Sequence, residues 1–285
     1  MNTPGEIKRR LASVTQTKQI TNAMYLLSVS RLKRSMESID YQRKYVEMLR
    51  RTMEDVLKVA KGADIHNYYI DKSPLGTALF MSVMGDKRLC GDYNHAVAAL
   101  TKEKLPTKKD PLLYCFGMVG KEILTADGIV PDRVLPGSSM HPSLELARVL
   151  SKELIDMYVT DQVNEVYIIY TPYTGAGSKP VCFRLLPLLR HDFVDAQDDY
   201  SPNEMLYEPA AQDALDAFVP KYCSGILYSI LMQSAASENA TRMEAMQSAA
   251  DNADDMIKEL QTQMKTARQL SITNELAEIT AAIEK

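Results

Sequence analysis

The chain has 285 residues, 46% of them hydrophobic and 25% charged, with 12 glycines, 13 prolines and a formal net charge of −4. That apolar content excludes a disordered chain and allows one large or two smaller domains, and the negative balance disfavours a general nucleic-acid binder. The four cysteines (Cys90, Cys115, Cys182 and Cys223) form no C-x-x-C pair, so neither a zinc site nor a disulfide framework is suggested and a reducing compartment fits.

Apart from Pro4 and Gly5, every glycine and proline lies between Gly62 and Gly225. The flank Glu6 to Lys61 therefore has no helix breaker and is rich in helix formers, which predicts one long helix. It is basic, with 13 Lys and Arg against 6 acidic residues over 1–61. Leu32, Met36, Ile39, Arg43, Val46, Arg50, Met53 and Leu57 follow alternating steps of four and three, a heptad seam interrupted by arginines. "IKRRLASVTQTKQIT" could pass for a basic targeting segment, but the same pattern continues beyond it, so it is expected to be part of the mature fold.

Short alternating elements follow. "GTALFMSVM" reads as a strand, "GDKRLCGDYN" as a glycine loop, and "HAVAAL" as the helix it feeds. "PLLYCFG" is a strand, "MVGKEILTA" a short helix, "IVPDRVL" a strand and "PSLELARVLSKELIDMYV" an amphipathic helix. "EVYIIYTPY" and "PVCFRLLPLL" make a last pair, a hairpin around "TGAGSK". Such alternation predicts an α/β layer with a partly parallel sheet.

The C-terminal flank from Ile226 to Lys285 again lacks breakers and is acidic, with 6 Lys and Arg against 11 acids over 209–285. Met232, Ala236, Asn239, Met243, Met246, Ala250, Ala253, Ile257, Leu260, Met264 and Ala267 form an unbroken heptad seam. If Pro220 starts this helix, it spans about 100 Å at 1.5 Å per residue, about twice the width of a compact globule of this length. The N-terminal helix is the nearest cover for the seam, in an antiparallel pair. The division expected is 1–61 as the N-terminal coiled-coil helix, 62–208 as the α/β domain and 209–285 as the C-terminal coiled-coil helix.

Catalytic chemistry is hard to find. "GDKRLCGDYN" joins a strand to a helix with glycine and positive charge, as a phosphate loop does, yet it fits neither G-x-x-x-x-G-K-[ST] nor G-x-G-x-x-G. "GMVGKE" and "GAGSKP" fail at defining positions too. His66, His95, His141 and His191 have no ligand spacing, and Asp198/Asp199 and Asp254/Asp255 are adjacent pairs whose side chains diverge. No metal and no cofactor is expected. The methionines at heptad spacing read as core, and Met also suits a seam that slides against changing neighbours.

Three blocks carry a family resemblance. "EIKRRLASVTQTKQITNAMYLLSVSRLKRS" (Glu6 to Ser35) resembles the opening helix of the gamma subunit of F-type ATP synthase. "ASENATRMEAMQSAADNADDMIKELQTQMKTARQLSITNELAEI" (Ala236 to Ile279) is similar to that family's C-terminal helix, and "DKRLCGDYN" to its D-R-G-L-C-G-x-[YF]-N loop. The resemblance implies a long antiparallel coiled coil of the two ends with an inserted Rossmann-like α/β domain. It implies a rotating central shaft inside a ring of three alpha and three beta subunits, with the epsilon subunit and the membrane c-ring at its base. Proton flow turns the shaft, and catalysis takes place on the neighbouring beta subunits, so the chain itself is expected to be non-catalytic. By position, the resemblance assigns rotor–stator contacts to Met24, to Lys87 of the loop, and to Arg268 and Gln269 of the family's R-Q pair. A bacterial subunit, peripheral on the cytoplasmic side of the cell membrane, is expected. Asn22 replaces the usual Lys before Ala-Met, the run Tyr25 to Ser28 departs from the common E-M-V-A, and Arg88 and Asp92 stand where the family has glycine. The tail after "EI" is shortened to "TAAIEK". The competing readings are a Rossmann-like nucleotide enzyme with helical dimerisation arms, which predicts nucleotide binding by the isolated chain, and a non-rotary coiled-coil scaffold.

Overall fold

The computed structural model describes residues 3–62, 69, 76–135, 142–175, 177–189, 192–193 and 211–283. Among them lie helix α1 (Pro4–Gly62), strand β1 (Ala78–Val83), helix α2 (Tyr93–Lys104) with a 3-10 turn at Leu105–Thr107, and strand β2 (Leu112–Phe116). Helix α3 (Met118–Ala126), strand β3 (Arg133–Leu135), helix α4 (Leu144–Val159), strands β4 (Glu165–Tyr170) and β5 (Val181–Leu186) and helix α5 (Ala211–Ile283) complete them. The chain divides into two compact units, one of 1–30 with 242–285 and the other of 31–241.

In the α/β unit the strands lie in the order β3-β2-β1-β4-β5. β1 pairs in parallel with both β2 and β4, β2 pairs in parallel with β3, and β5 closes the edge antiparallel to β4. The mixed sheet and its hairpin agree with the sequence reading. β3 is shorter than "IVPDRVL" suggests because Asp132 clasps Leu113 instead: its backbone N–H donates to Leu113 O at 2.9 Å while Leu113 N donates to its Oδ2 at 2.7 Å.

Side chains of a strand alternate between faces, and here each face has its own core. Leu79, Met81 and Val83 of β1 join Tyr114, Phe116, Val166 and Ile168 under helix α4 and the inner faces of α1 and α5. Ala78, Phe80 and Met84 join Leu113, Cys115 and Ile169 under α2 and α3. Helix α4 starts where Ser143 Oγ accepts from Leu146 N at 3.1 Å, and buries Ala147, Leu150, Leu154, Ile155 and Tyr158, a stripe at helical spacing.

Two expectations for the long helices need correction. Helix α5 does not start at Pro220 but at Ala211, and the proline sits inside it. Its ring removes one helical hydrogen bond, and its exposure leaves the freed carbonyl side open to water, which limits the cost. The arginine-bearing seam of α1 is also displaced. Arg43 and Arg50 are exposed, and the covered side runs through half-buried Gln42 and Val46 and buried Leu49, Met53, Val56 and Leu57, one residue away from the expected seam at 42 and 49. Arg50 instead reaches outward to Asp192 O at 3.1 Å.

In the helical unit, α1 buries or half-buries residues 7, 11, 14, 18, 21, 25 and 28, a heptad pattern that polar Lys18, Thr21 and Ser28 conceal in the sequence. Ile7 shares a groove with Ala267 and Leu270, Lys18 Nζ pairs with Asp254 Oδ1 at 2.5 Å, and Tyr25 lines a groove with Met243 and Asn252. The contacts rise along one helix as they fall along the other, so the pair is antiparallel. Thr21 and Ser28 satisfy their hydroxyls within their own helix, donating to Thr17 O and Met24 O, each at 2.8 Å. On α5, Met246, Ala250, Ala253 and Leu260 are buried and Met243, Ile257, Met264 and Ala267 half-buried, as the heptad reading requires.

Two measurements probe this packing. A Cβ on Gly225 would lie 2.4 Å from Leu49 Cδ1 in the α1–α5 contact. Gly225→Ala should therefore destabilise by about 1–3 kcal/mol despite its better helix propensity, with Leu49→Val in the same chain restoring most of the urea midpoint. Burial pushes the Cys115 and Cys223 thiols up to about 12, and Cys90 is buried while Cys182 is only half-buried. At pH 8 a maleimide should modify Cys182 in the native chain and reach the other three only after denaturation, which peptide mapping would reveal.

Candidate functional site

The loop from Gly85 to Asp92 leaves the carboxyl end of β1 and enters α2. Its base is buried and its tip is not: Lys87, Arg88 and Leu89 are exposed, Leu89 by 57%. Internal hydrogen bonds hold it at several points. Gly85 N donates to Asn94 Oδ1 at 2.7 Å, Met118 N to Asp86 Oδ1 at 3.0 Å, Tyr93 N to Cys90 O at 3.2 Å, and Asn94 Nδ2 to Cys90 Sγ at 3.3 Å. Asp86 thus caps the start of α3 from across the loop. Cys90 packs inward at 2% exposure.

The turn is made by Leu89 and Gly91, with φ of 66° and 55°. A non-glycine residue with an exposed apolar side chain at positive φ is unusual and marks a locally strained presentation. Arg88 and Asp92, the two departures from the family's glycines, take no positive φ. Arg88 Nη2 pairs with Glu122 Oε2 on α3 at 2.8 Å, with both side chains largely exposed, and Asp92 precedes α2 at φ −89°. The backbone N–H of Gly85, placed where a phosphate loop would offer it to an anion, is spent on Asn94. His95 is exposed on α2, while His66, His141, His191 and the pair Asp198/Asp199 lie outside the described residues.

Met24, Arg268 and Gln269 belong to the helical unit and Lys87 to the α/β unit. Met24 is half-buried beside the seam, its carbonyl accepting from Ser28 Oγ. Arg268 and Gln269 are both exposed, next to Leu270, itself 47% exposed. Ile7 faces this stretch across the helix pair, and Met24 lies about 25 Å further along α1 at 1.5 Å per residue. Within the helical unit Met24 and the Arg268–Gln269 stretch stand at separate levels and form no catalytic cluster. Among the described residues no group of His, Cys, Asp and Glu side chains is arranged to hold a metal ion, and no helix is long and apolar enough to cross a membrane.

One stretch was illegible from the seam. Every residue from Ser234 to Ala240 is buried, including Ser237, Glu238 and Asn239 at 1% each. A heptad seam predicts only Ala236 and Asn239 inward there. The available signal was composition: three alanines and two serines surround a single acid, leaving no bulky side chain to keep neighbours away.

Comparison with known proteins places this geometry. The family model described as ATP synthase matches residues 3–284. The curated ATP synthase gamma chain of Caldanaerobacter subterraneus subsp. tengcongensis is 33% identical over 96% of this chain and 97% of its own length. That of Caldicellulosiruptor saccharolyticus is 34% identical over 96% and 95%. Among solved structures, a chain of the Tetrahymena thermophila mitochondrial ATP synthase central stalk and c-ring covers 81% of this chain and 99% of its own at TM-score 0.58 and 21% identity. A chain of the Euglena gracilis mitochondrial ATP synthase covers 89% and 93% at TM-score 0.58 and 16% identity, a likeness of fold. With the match running through both terminal helices and the α/β unit between them, the chain belongs to the gamma-chain family of ATP synthase, the rotor subunits of F1Fo.

Proposed function

We propose that this chain is the non-catalytic central shaft of its complex, turning inside a ring of alpha and beta subunits and joined at its base to the epsilon subunit and the c-ring. Proton flow through the membrane ring rotates it, and its asymmetry makes the beta nucleotide sites differ in turn, a coupling free energy carried by rigid rotation. The observation that carries this reading is the antiparallel helical unit with Arg268 and Gln269 exposed on it, in a chain whose relatives at 32–34% identity are gamma chains along nearly their whole length. The loop after β1 supports it from the other side, since its amide is used internally and its tip offers Lys87 outward.

In this reading Lys87 meets an acidic surface of a beta subunit, Arg268 and Gln269 hydrogen-bond a beta loop, and Met24 lies where the shaft passes the beta subunits. Segments 1–61 and 209–285 serve as the shaft and 62–208 as the body that meets epsilon and the c-ring. The basic character of 1–61 suits an acidic stator wall. The complex lies on the cytoplasmic side of a bacterial cell membrane, with this chain peripheral to it, in keeping with the bacterial relatives.

Co-expression of alpha and beta subunits with and without the chain tests the role. The expected result is an assembled complex whose ATPase activity depends on the chain. Assembly and activity indifferent to its presence would remove the rotor reading. Within the assembled complex, Arg268→Ala and Gln269→Ala should each lower turnover about tenfold, the rate equivalent of about 1.4 kcal/mol for a lost charged or polar contact. Lys87→Ala should lower the salt sensitivity of turnover.

A further inference from the structure

Open α/β sheets hold their ligands outside the carboxyl ends of the strands, at the place where the connections reverse direction. In this sheet the reversal falls at β1, with β2 and β3 to one side and β4 and β5 to the other. The backbone leaves β1 there through Met84 and Gly85, both buried. The crevice is filled by the chain itself. A Cβ added to Gly85 would lie 2.9 Å from Oε1, 3.0 Å from Cδ and 3.2 Å from Oε2 of Glu238, so the whole carboxyl group of this α5 residue lies against the glycine. Ser234, one turn earlier on the same helical face as Glu238, is buried as well.

The opposite side of the same backbone is equally tight. A Cβ on Gly117, which has φ of 100°, would lie 2.3 Å from Met84 O and 2.8 Å from the carbonyl carbon of Gly85; one on Gly120 would lie 2.6 Å from Met84 Cβ. The root of the loop therefore runs in a slot with the first turn of α3 as one wall and Glu238 as the other. A carboxyl group is a costly filler for a buried slot, where an apolar side chain would pack without desolvation, so its presence at this point calls for a polar role.

We propose that Glu238 is a positioning residue that occupies the place of a ligand in the switch-point crevice and fixes the loop carrying Lys87, Arg88 and Leu89 to helix α5. The loop then has no independent hinge at its root, and a force applied at its tip is delivered to α5. The significance of this for coupling rests on the reading of Lys87 as a stator contact; the positioning itself does not.

A double-mutant cycle on the full chain tests it. A nitroxide is placed at the loop tip through Leu89→Cys, with Cys182→Ala removing the half-buried native thiol. Glu238→Ala should increase label mobility by releasing one wall. Gly85→Ala should do the same by pushing the carboxyl group off its seat. The two together should be no more mobile than either alone, because the truncated side chain leaves room for the added methyl. Unchanged mobility in Glu238→Ala, or effects that simply add, would overturn the proposal. Should Glu238→Ala fail to fold, Glu238→Asp withdraws the carboxyl by one methylene and should loosen the loop to a smaller extent; a label as immobile as in the parent chain overturns the proposal there too. Proton pumping per ATP hydrolysed, measured in vesicles carrying the full complex, separates the two readings. A loosened loop with a lowered ratio in both Glu238→Ala and Lys87→Ala supports both. A loosened loop with the parent ratio in both variants supports the positioning role and removes Lys87 as a stator contact.

Discussion

The face of the sheet built from Leu79, Met81, Val83, Val166 and Ile168 depends on helices that come from the two ends of the chain. Helix α4 covers part of it, and the rest is covered by Leu49, Met53, Val56 and Leu57 of α1 and by Leu215, Val219, Cys223 and Leu227 of α5. Without either terminal helix, a layer of large apolar side chains would face water, at about 25 cal/mol for each Å² exposed. The α/β unit is for this reason not an insert that could be lifted out of the chain. Its second layer is the beginning and the end of the polypeptide, and the close approach at Gly225 and Leu49 brings those two helices together on it.

The sequence made the α/β alternation legible because each strand is a short apolar run bounded by glycine, proline or aspartate, and because α4 announces itself with Ser143 and a clean stripe. The seam of α5 was readable for the same reason: Met and Ala recur in strict steps. Elsewhere the signal failed where a polar side chain was satisfied locally or a charged one sat beside the seam. Thr21 and Ser28 look like surface residues until their back-bonds are seen, and Arg43 and Arg50 fall into a rhythm that half-buried Gln42 and buried Leu49 occupy. Pro220 read as a start because proline usually is one, yet an exposed proline can be carried within a helix held by tertiary packing.

The candidate contact residues show a sharper division. Lys87, Arg268 and Gln269 are exposed, and the sequence pointed to them only through the family resemblance of the blocks that carry them. It did not reveal what holds Lys87 in place. Asn94, Asp86 and Glu238 act on the loop across nine to about 150 residues of sequence, and no local pattern links them. Arg88 and Asp92, suspect because glycine is usual there, proved undemanding, since the positive dihedral angles fall on Leu89 and Gly91.

The hydroxyls of the helical unit carry one more consequence. A polar residue in a coiled-coil seam commonly specifies alignment, because it must find its partner on the facing helix. Thr21 and Ser28 make no such demand, being satisfied by carbonyls of their own turn. The Lys18–Asp254 pair does link specific positions of the two helices, but its side chains are partly exposed, so water and salt weaken it. Rising ionic strength therefore loosens this one alignment contact while leaving the back-bonds of Thr21 and Ser28 untouched, because those are made within a single helix.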